Sequence, residues 1–213
     1  MKAVVYHADA RFAWGDPVGD LYAKLFAIFR KNCHSFGIQL VHLTLDGLPG
    51  WGDENKTYAN LDPKNVVLNR EECFSAFLST APNDTYWFCE PDFHIFRAFP
   101  ELKTDCAMVY RPNDDVPMCP AWRLATPKAT PFFEKLRDAL RAVQPRPGVG
   151  FDWHGDSEAF TKVWNEMGSP TEDAEYMGIK FEFRKYEDYI KGSNKFTRNH
   201  FGKKKFWLLD GRY

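Results

Sequence analysis

The residues whose spacing best suggests chemistry are Glu90 and Asp92, inside the stretch YWFCEPDFHIF (86–96). Tyr86, Trp87, Phe88 and Cys89 suit an inner β-strand, and the apolar run resumes at Phe93. Side chains alternate along a strand, so two residues apart predicts both carboxylates on one face. Pro91 between them cannot donate to a sheet ladder, so the strand ends there or lies at an edge. Ligands of α/β sheets bind just beyond the carboxyl ends of strands. Two carboxylates at such a point repel each other unless a cation lies between them, and oxygen ligands suit Mg²⁺ or Mn²⁺. The triplet alone equally describes two solvated turn residues beside a core strand.

Four further groups could act with it. Arg70, in NREECFSAFLST, is placed where a short strand would meet a helix N-terminus, and its fork of donors fits a phosphate or a carboxylate. It could equally anchor Glu90 or Asp92 structurally. In FDWHGDSEAF, Asp156 suits a helix cap and Glu158 favours the same helix start; either could serve as a general base, with His154 nearby. His7, Ala8 and Asp9 follow the first strand, at the edge where ligands bind. In HFGKKKFW (200–207), His200 is a potential metal ligand and Lys203, Lys204 and Lys205 could neutralise a diphosphate. A charge run is more often a solvated tail, but Phe201, Phe206 and Trp207 favour burial.

The elements expected to hold these residues alternate. KAVVYH (2–7) reads as a strand, then a loop, then a helix over 20–32 with Asp20 as its cap and Leu21, Leu25, Ile28 and Phe29 at helical spacing. IQLVHLTLDG (38–47) is a second strand. Residues 48–65 read as a long polar connection, 65–70 as a short third strand, and 71–80 as a short helix burying Phe74, Phe77 and Leu78. TYWFCEPDF, DCAMVYRP and PMCPAWRLAT are strands; PFFEKLRDALRAV and DSEAFTKVWNEMG are helices, the latter stopped by Gly168; IKFEFRKYEDY alternates like a strand. Strand–helix alternation predicts a mostly parallel sheet covered by helices.

Composition sets outer bounds. A length of 213 residues fits one domain, 1–213, and the apolar content supports a real core. The formal net charge of -1 makes any nucleic-acid-binding face local. The 5 cysteines are scattered without a CxxC pair, which favours buried thiols over disulfides or a zinc ribbon. No leader or membrane-spanning stretch is evident, so a soluble, cytoplasmic protein is expected.

The order of these motifs resembles the GT-A glycosyltransferases, with their DxD motif present as Glu90-Pro91-Asp92. The resemblance runs from about Lys2 to Trp207. It implies a GT-A-like, Rossmann-type α/β fold and transfer of a sugar from a nucleotide-diphosphate donor, a UDP-sugar first among candidates, to a hydroxyl. It further implies Mn²⁺ or Mg²⁺ held by Asp92, Glu90 and His200, with Glu90 alternatively on the donor ribose. Lys203 or Lys205 would meet the diphosphate, Arg70 the donor, and His7, Ala8 and Asp9 the nucleotide; Asp156 or Glu158 would be the base of an inverting enzyme. The segment from Met118 would face donor sugar and acceptor. Glu stands for the first Asp of DxD, and the late motif is compressed. The compact size suits transferases that glycosylate hydroxymethylated pyrimidines in bacteriophage DNA, with Trp14, Trp51 and Trp153 as stacking candidates. A nucleotidyltransferase and a non-catalytic nucleotide-sugar-binding protein are the alternatives; HADARFAWGD is not the Gly-rich phosphate loop the former would need.

Overall fold

The computed structural model describes residues 1–7, 19–62, 65–111, 117–143, 153–191 and 197–199. Its centre is strand β1 (Lys2–Tyr6), where Ala3, Val4 and Val5 are fully buried. An unbroken apolar run of this kind belongs in a parallel strand covered on both faces. Strand β2 (Gln39–Leu45) lies parallel on one side in register Val4↔Val41. Strand β4 (Tyr86–Cys89) lies parallel on the other side, in register Val5↔Cys89. With β3 (Glu54–Tyr58), β6 (Cys106–Tyr110), β7 (Met118–Ala125), β8 (Ala174–Tyr176) and β9 (Ile179–Lys185), the 8-stranded sheet has the order β3-β2-β1-β4-β7-β6-β9-β8. Strand β7 is antiparallel to both β4 and β6, and β8 is antiparallel to β9; the other pairings are parallel. Its amino end therefore lies beside the carboxyl end of β4.

Period-two alternation divides the strands between two cores. Val4, Phe88 and Met108 face helices α2 (Val66–Thr80), α3 (Thr130–Val143) and α4 (Trp153–Glu166). Ala3, Val5, Trp87, Cys89, Trp122 and Val109 face the other layer, where helix α1 (Gly19–Ser35) supplies Phe26, Phe29 and Cys33. Phe99 closes that layer over Trp87, 4.7 Å between ring centroids. All 5 cysteines are buried and free, as expected. Among the described residues no helix is long and apolar enough to cross a membrane.

Three expectations are corrected. Residues 65–70 are not a strand: the helix begins at Val66, so Arg70 and Glu71 sit in its second turn. The β-branched pair Val66-Val67 suggested a strand, but burial of Val67, Cys73, Phe74, Phe77 and Leu78 against the sheet outweighs that local preference. Residues 48–65 are not wholly a loop, since they contain β3. Its residues are exposed or half-buried, so no apolar pattern marks it. Polar contacts seat it: Asp53 accepts hydrogen bonds from Leu40 N (2.9 Å), Arg30 Nε (2.6 Å) and His34 Nε2 (2.8 Å). Helix α4 also begins earlier than expected, at Trp153, which puts Asp156 inside the first turn rather than at the cap. Its stop is as expected, with Gly168 left-handed at φ 85°.

Gly52 explains how closely β3 can approach β2. A Cβ there would meet main-chain atoms: Glu54 O at 2.6 Å, and His42 N and Leu40 O at 2.8 Å. Gly52→Ala is therefore expected to destabilise the protein by about 1–3 kcal/mol, the usual cost of overpacking. The loss should centre on faster amide exchange in residues 54–58, and an unchanged denaturation midpoint with unchanged exchange there would refute it.

Candidate functional site

The helical start of α2 sends Arg70 and Glu71 inward under the sheet's carboxyl edge, and both are buried. Arg70 Nε donates to Glu71 Oε1 at 2.9 Å. Arg70 Nη2 donates to both Asp156 oxygens, at 3.0 Å each. Arg70 Nη1 lies 3.5 Å from Glu90 Oε1. One guanidinium thus joins α2, the first turn of α4 and the residue that follows β4. Arg70, Glu90 and Asp156 were each candidates from sequence, and the fold assembles them.

Behind them stands Arg123, from the middle of β7 and fully buried. Its Nη1 and Nη2 donate to Glu71 Oε2 and Oε1 at 2.7 and 2.8 Å. Its guanidinium carbon lies about equally far from three rings, 5.2 Å from Phe74, 4.9 Å from Phe133 and 5.2 Å from Phe160. These rings come from α2, α3 and α4. Phe160 is one helical turn beyond Asp156, hence on the same face of α4.

The electrostatics follow from this packing. Burial would favour a neutral Arg70, but Asp156, Glu71 and Glu90 outweigh it and hold its proton more firmly than usual. Burial likewise pushes Glu71 up, yet Arg123 and Arg70 together bring it below the ordinary carboxylate range. Asp156 ends higher than usual, because burial exceeds the pull of Arg70. Of these two carboxylates, Glu71 is held ionised by its two guanidinium partners, while burial favours the neutral form of Asp156.

At the carboxyl edge β4 stops at Cys89, and Pro91 and Asp92 form a turn. Strand alternation therefore does not govern Glu90 and Asp92, which corrects the expectation of a shared strand face. Glu90 is half-buried toward Arg70, while Asp92 is 1% exposed. The chain then leaves the main sheet as β5 (Phe93–Ile95), which pairs antiparallel with β10 (Thr197–Asn199). Asn199 lies opposite Phe93, so the late segment returns beside the acidic turn. Among the described residues no group of three or more His, Cys, Asp or Glu could hold a metal ion.

His7 follows β1, next to the end of β4. Its ring stacks on Tyr22 at 4.0 Å, in an aromatic group with Phe26, Trp51 and His42. His42 is fully buried, and its Nδ1 accepts from Trp51 N at 3.0 Å. Glu158 is exposed on α4, away from the buried cluster that Asp156 joins. Ala8, Asp9, Trp14, His200, Lys203 and Lys205 lie outside the described residues, as does the side chain of His154.

Glu71 and Arg123 were missed from the sequence. Glu71 read as an ordinary helix residue. Arg123 carried a usable signal, since a charge flanked by Ala121, Trp122, Leu124 and Ala125 on a buried strand must have a partner.

The sheet order, its antiparallel β7 and the helices on both faces define a GT-A-like, Rossmann-type mixed α/β fold. The chain is similar in structure to a glycosyltransferase involved in the glycosylation of the major capsid of PBCV-1. The likeness has a TM-score of 0.56 and covers 98% of each chain. At 8% identity it is a likeness of fold. No protein-family model and no curated protein matches the chain.

His42 supplies a test of the aromatic group. Burial pushes its imidazole down from 6.5 to about 4, against a smaller opposing pull from the His7 main chain. The unfolded chain therefore binds more protons between these values. The stabilisation is complete above pH 6.5 and is lost as pH falls toward 4. Between pH 7.5 and 5, His42→Gln is expected to lose less stability than the native chain, by roughly 2 kcal/mol. Parallel pH profiles of the urea midpoint for the two proteins would contradict this.

Proposed function

We propose that this protein transfers a sugar from a nucleotide-diphosphate donor to a hydroxyl acceptor, with a divalent cation, Mn²⁺ or Mg²⁺. The observation that carries the reading is the meeting of Arg70, Glu90 and Asp156 at the carboxyl end of β4, from three separate stretches of chain. Ligands of open α/β sheets bind just beyond the carboxyl ends of strands, which supports a donor at that edge. Likeness to a glycosyltransferase supports the same class of chemistry.

Glu90 and Asp92 are the proposed oxygen ligands, since carboxylates on a turn suit a hard cation, and Glu90 is at the same time 3.5 Å from the Arg70 guanidinium. His200 is proposed to complete the set; Asn199, which precedes it, lies opposite Phe93, next in sequence after Asp92. The ion, when bound, would offset the negative charge that develops on the departing diphosphate. Arg70 presents a permanent positive charge on the same side, and Lys203 or Lys205 would add another. His7, Ala8 and Asp9 would line the nucleotide side. Asp156 and Glu158 are the candidate bases for the acceptor hydroxyl. Both oxygens of Asp156 already accept from Arg70, so in this arrangement Asp156 orients the guanidinium, while Glu158 is open to solvent. A hydroxymethylated pyrimidine in DNA is the acceptor proposed; the similar glycosyltransferase acts in glycosylation of a capsid, which makes a protein acceptor the comparison arm.

A panel of UDP- and GDP-sugars, assayed by nucleotide release with and without Mn²⁺, tests this directly. The native chain should release nucleotide only with the cation. Asp92→Ala should reduce release by about 100-fold or more, as loss of a group that stabilises transition-state charge does. Full Mn²⁺-dependent turnover by folded Asp92→Ala would overturn the site. Binding of donor by the native chain without turnover on any acceptor would favour a non-catalytic protein.

A further inference from the structure

We infer that the buried Arg123–Glu71 pair is a positioning device, which aims Arg70 at the donor edge without itself touching substrate. This rests on the reading of Arg70 as a donor-side residue. Adjacent residues on a helix do not face one another, yet Arg70 Nε reaches Glu71 Oε1 at 2.9 Å. Glu71 can be reached because Arg123 holds both its oxygens from the sheet side, at 2.7 and 2.8 Å. Glu71 Oε1 is thus shared by two guanidinium groups. With Nε bound by Glu71 and Nη2 by Asp156, the end of Arg70 left toward the mouth of β4 is Nη1, 3.5 Å from Glu90.

Stability alone does not account for the pair. Arg123 lies among Phe74, Phe133 and Phe160, a slot that an apolar side chain would fill. Replacing a buried ion pair by apolar groups of similar volume is often neutral or stabilising. What an apolar pair would lack is an acceptor for Arg70 Nε. Arg123 is also gripped by rings from three helices, so its carboxylate partner has a fixed direction. The same slot holds Phe160, one turn from Asp156, which ties the second acceptor of Arg70 to the first.

The test compares the full chain with Arg70→Lys, Glu71→Gln, the paired apolar replacement Glu71→Leu/Arg123→Met, and that replacement combined with Arg70→Lys. The paired replacement guards against misfolding, because it leaves no unmatched buried charge. It should fold, keep the donor KM, and lower kcat by about 10- to 100-fold. Adding it to Arg70→Lys should cause no further loss, since both changes remove one function. A folded paired replacement with native kcat, or losses that multiply, would overturn the inference. The ¹⁵N signal of the Arg70 Nε–H, assigned by its absence in Arg70→Lys, is read on the same proteins. It should be protected in the native chain and shifted or lost in the paired replacement; an unchanged signal counts against positioning. Absence of nucleotide release by the native chain from every donor would defeat the transferase reading alone, and this signal would still decide the positioning claim.

Discussion

The carboxyl edge of the sheet depends on keeping a guanidinium charged inside the protein. Arg70 is nearly fully buried, and a buried charge persists only if partners replace the water it loses. Its partners come from the same helix, from α4 and from the end of β4. Each must arrive at a defined angle, because a guanidinium is planar and its donors are fixed. The positions of α2, α4 and the acidic turn are thereby coupled through one side chain. A shift of any of them leaves a buried charge short of a partner.

A second buried guanidinium would worsen the problem were it not for Glu71. Arg123 and Arg70 both draw on that carboxylate, and their combined charge keeps it ionised despite complete burial. Asp156 takes the other part of the load and is less firmly ionised, because burial acts on it more strongly than Arg70 does. The cluster is graded from a locked pair beneath the helices to a half-buried Glu90 at the edge. Rigidity at the back matters because donors held in advance need not reorganise when a charge develops beside them.

Legibility from sequence tracked the physical source of each element's stability. Strands β1, β4, β6 and β7 depend on burial, and their apolar runs announced them. Strand β3 depends on hydrogen bonds of Asp53 and on the space left at Gly52, neither of which has a periodic signature. The start of α2 was misread because Val66 and Val67 favour strands locally, whereas the helix is set by the face it buries one and two turns later. Site residues divided in the same way. Glu90 stood out as a charge at a strand end, whereas Arg70 and Asp156 stood out through an expected strand–helix junction and an expected cap, both of which the fold replaces with helix. Glu71 and Arg123 lie within elements, and only pairing across the fold gives them meaning.

That division bears on the acidic turn itself. Glu90 and Asp92 looked alike as a spaced pair, but the fold separates their surroundings. Glu90 faces a guanidinium 3.5 Å away and remains half-exposed, while Asp92 is buried where the chain turns into β5. A carboxylate already compensated by an arginine is the weaker candidate for holding a cation by itself. Asp92 is next to Phe93, which pairs with Asn199 and brings the late segment to the turn. Glu90 therefore belongs with the arginine cluster, while Asp92 stands at the buried turn into β5. Spacing alone makes the two residues look equivalent; the arginine beside Glu90 sets them apart.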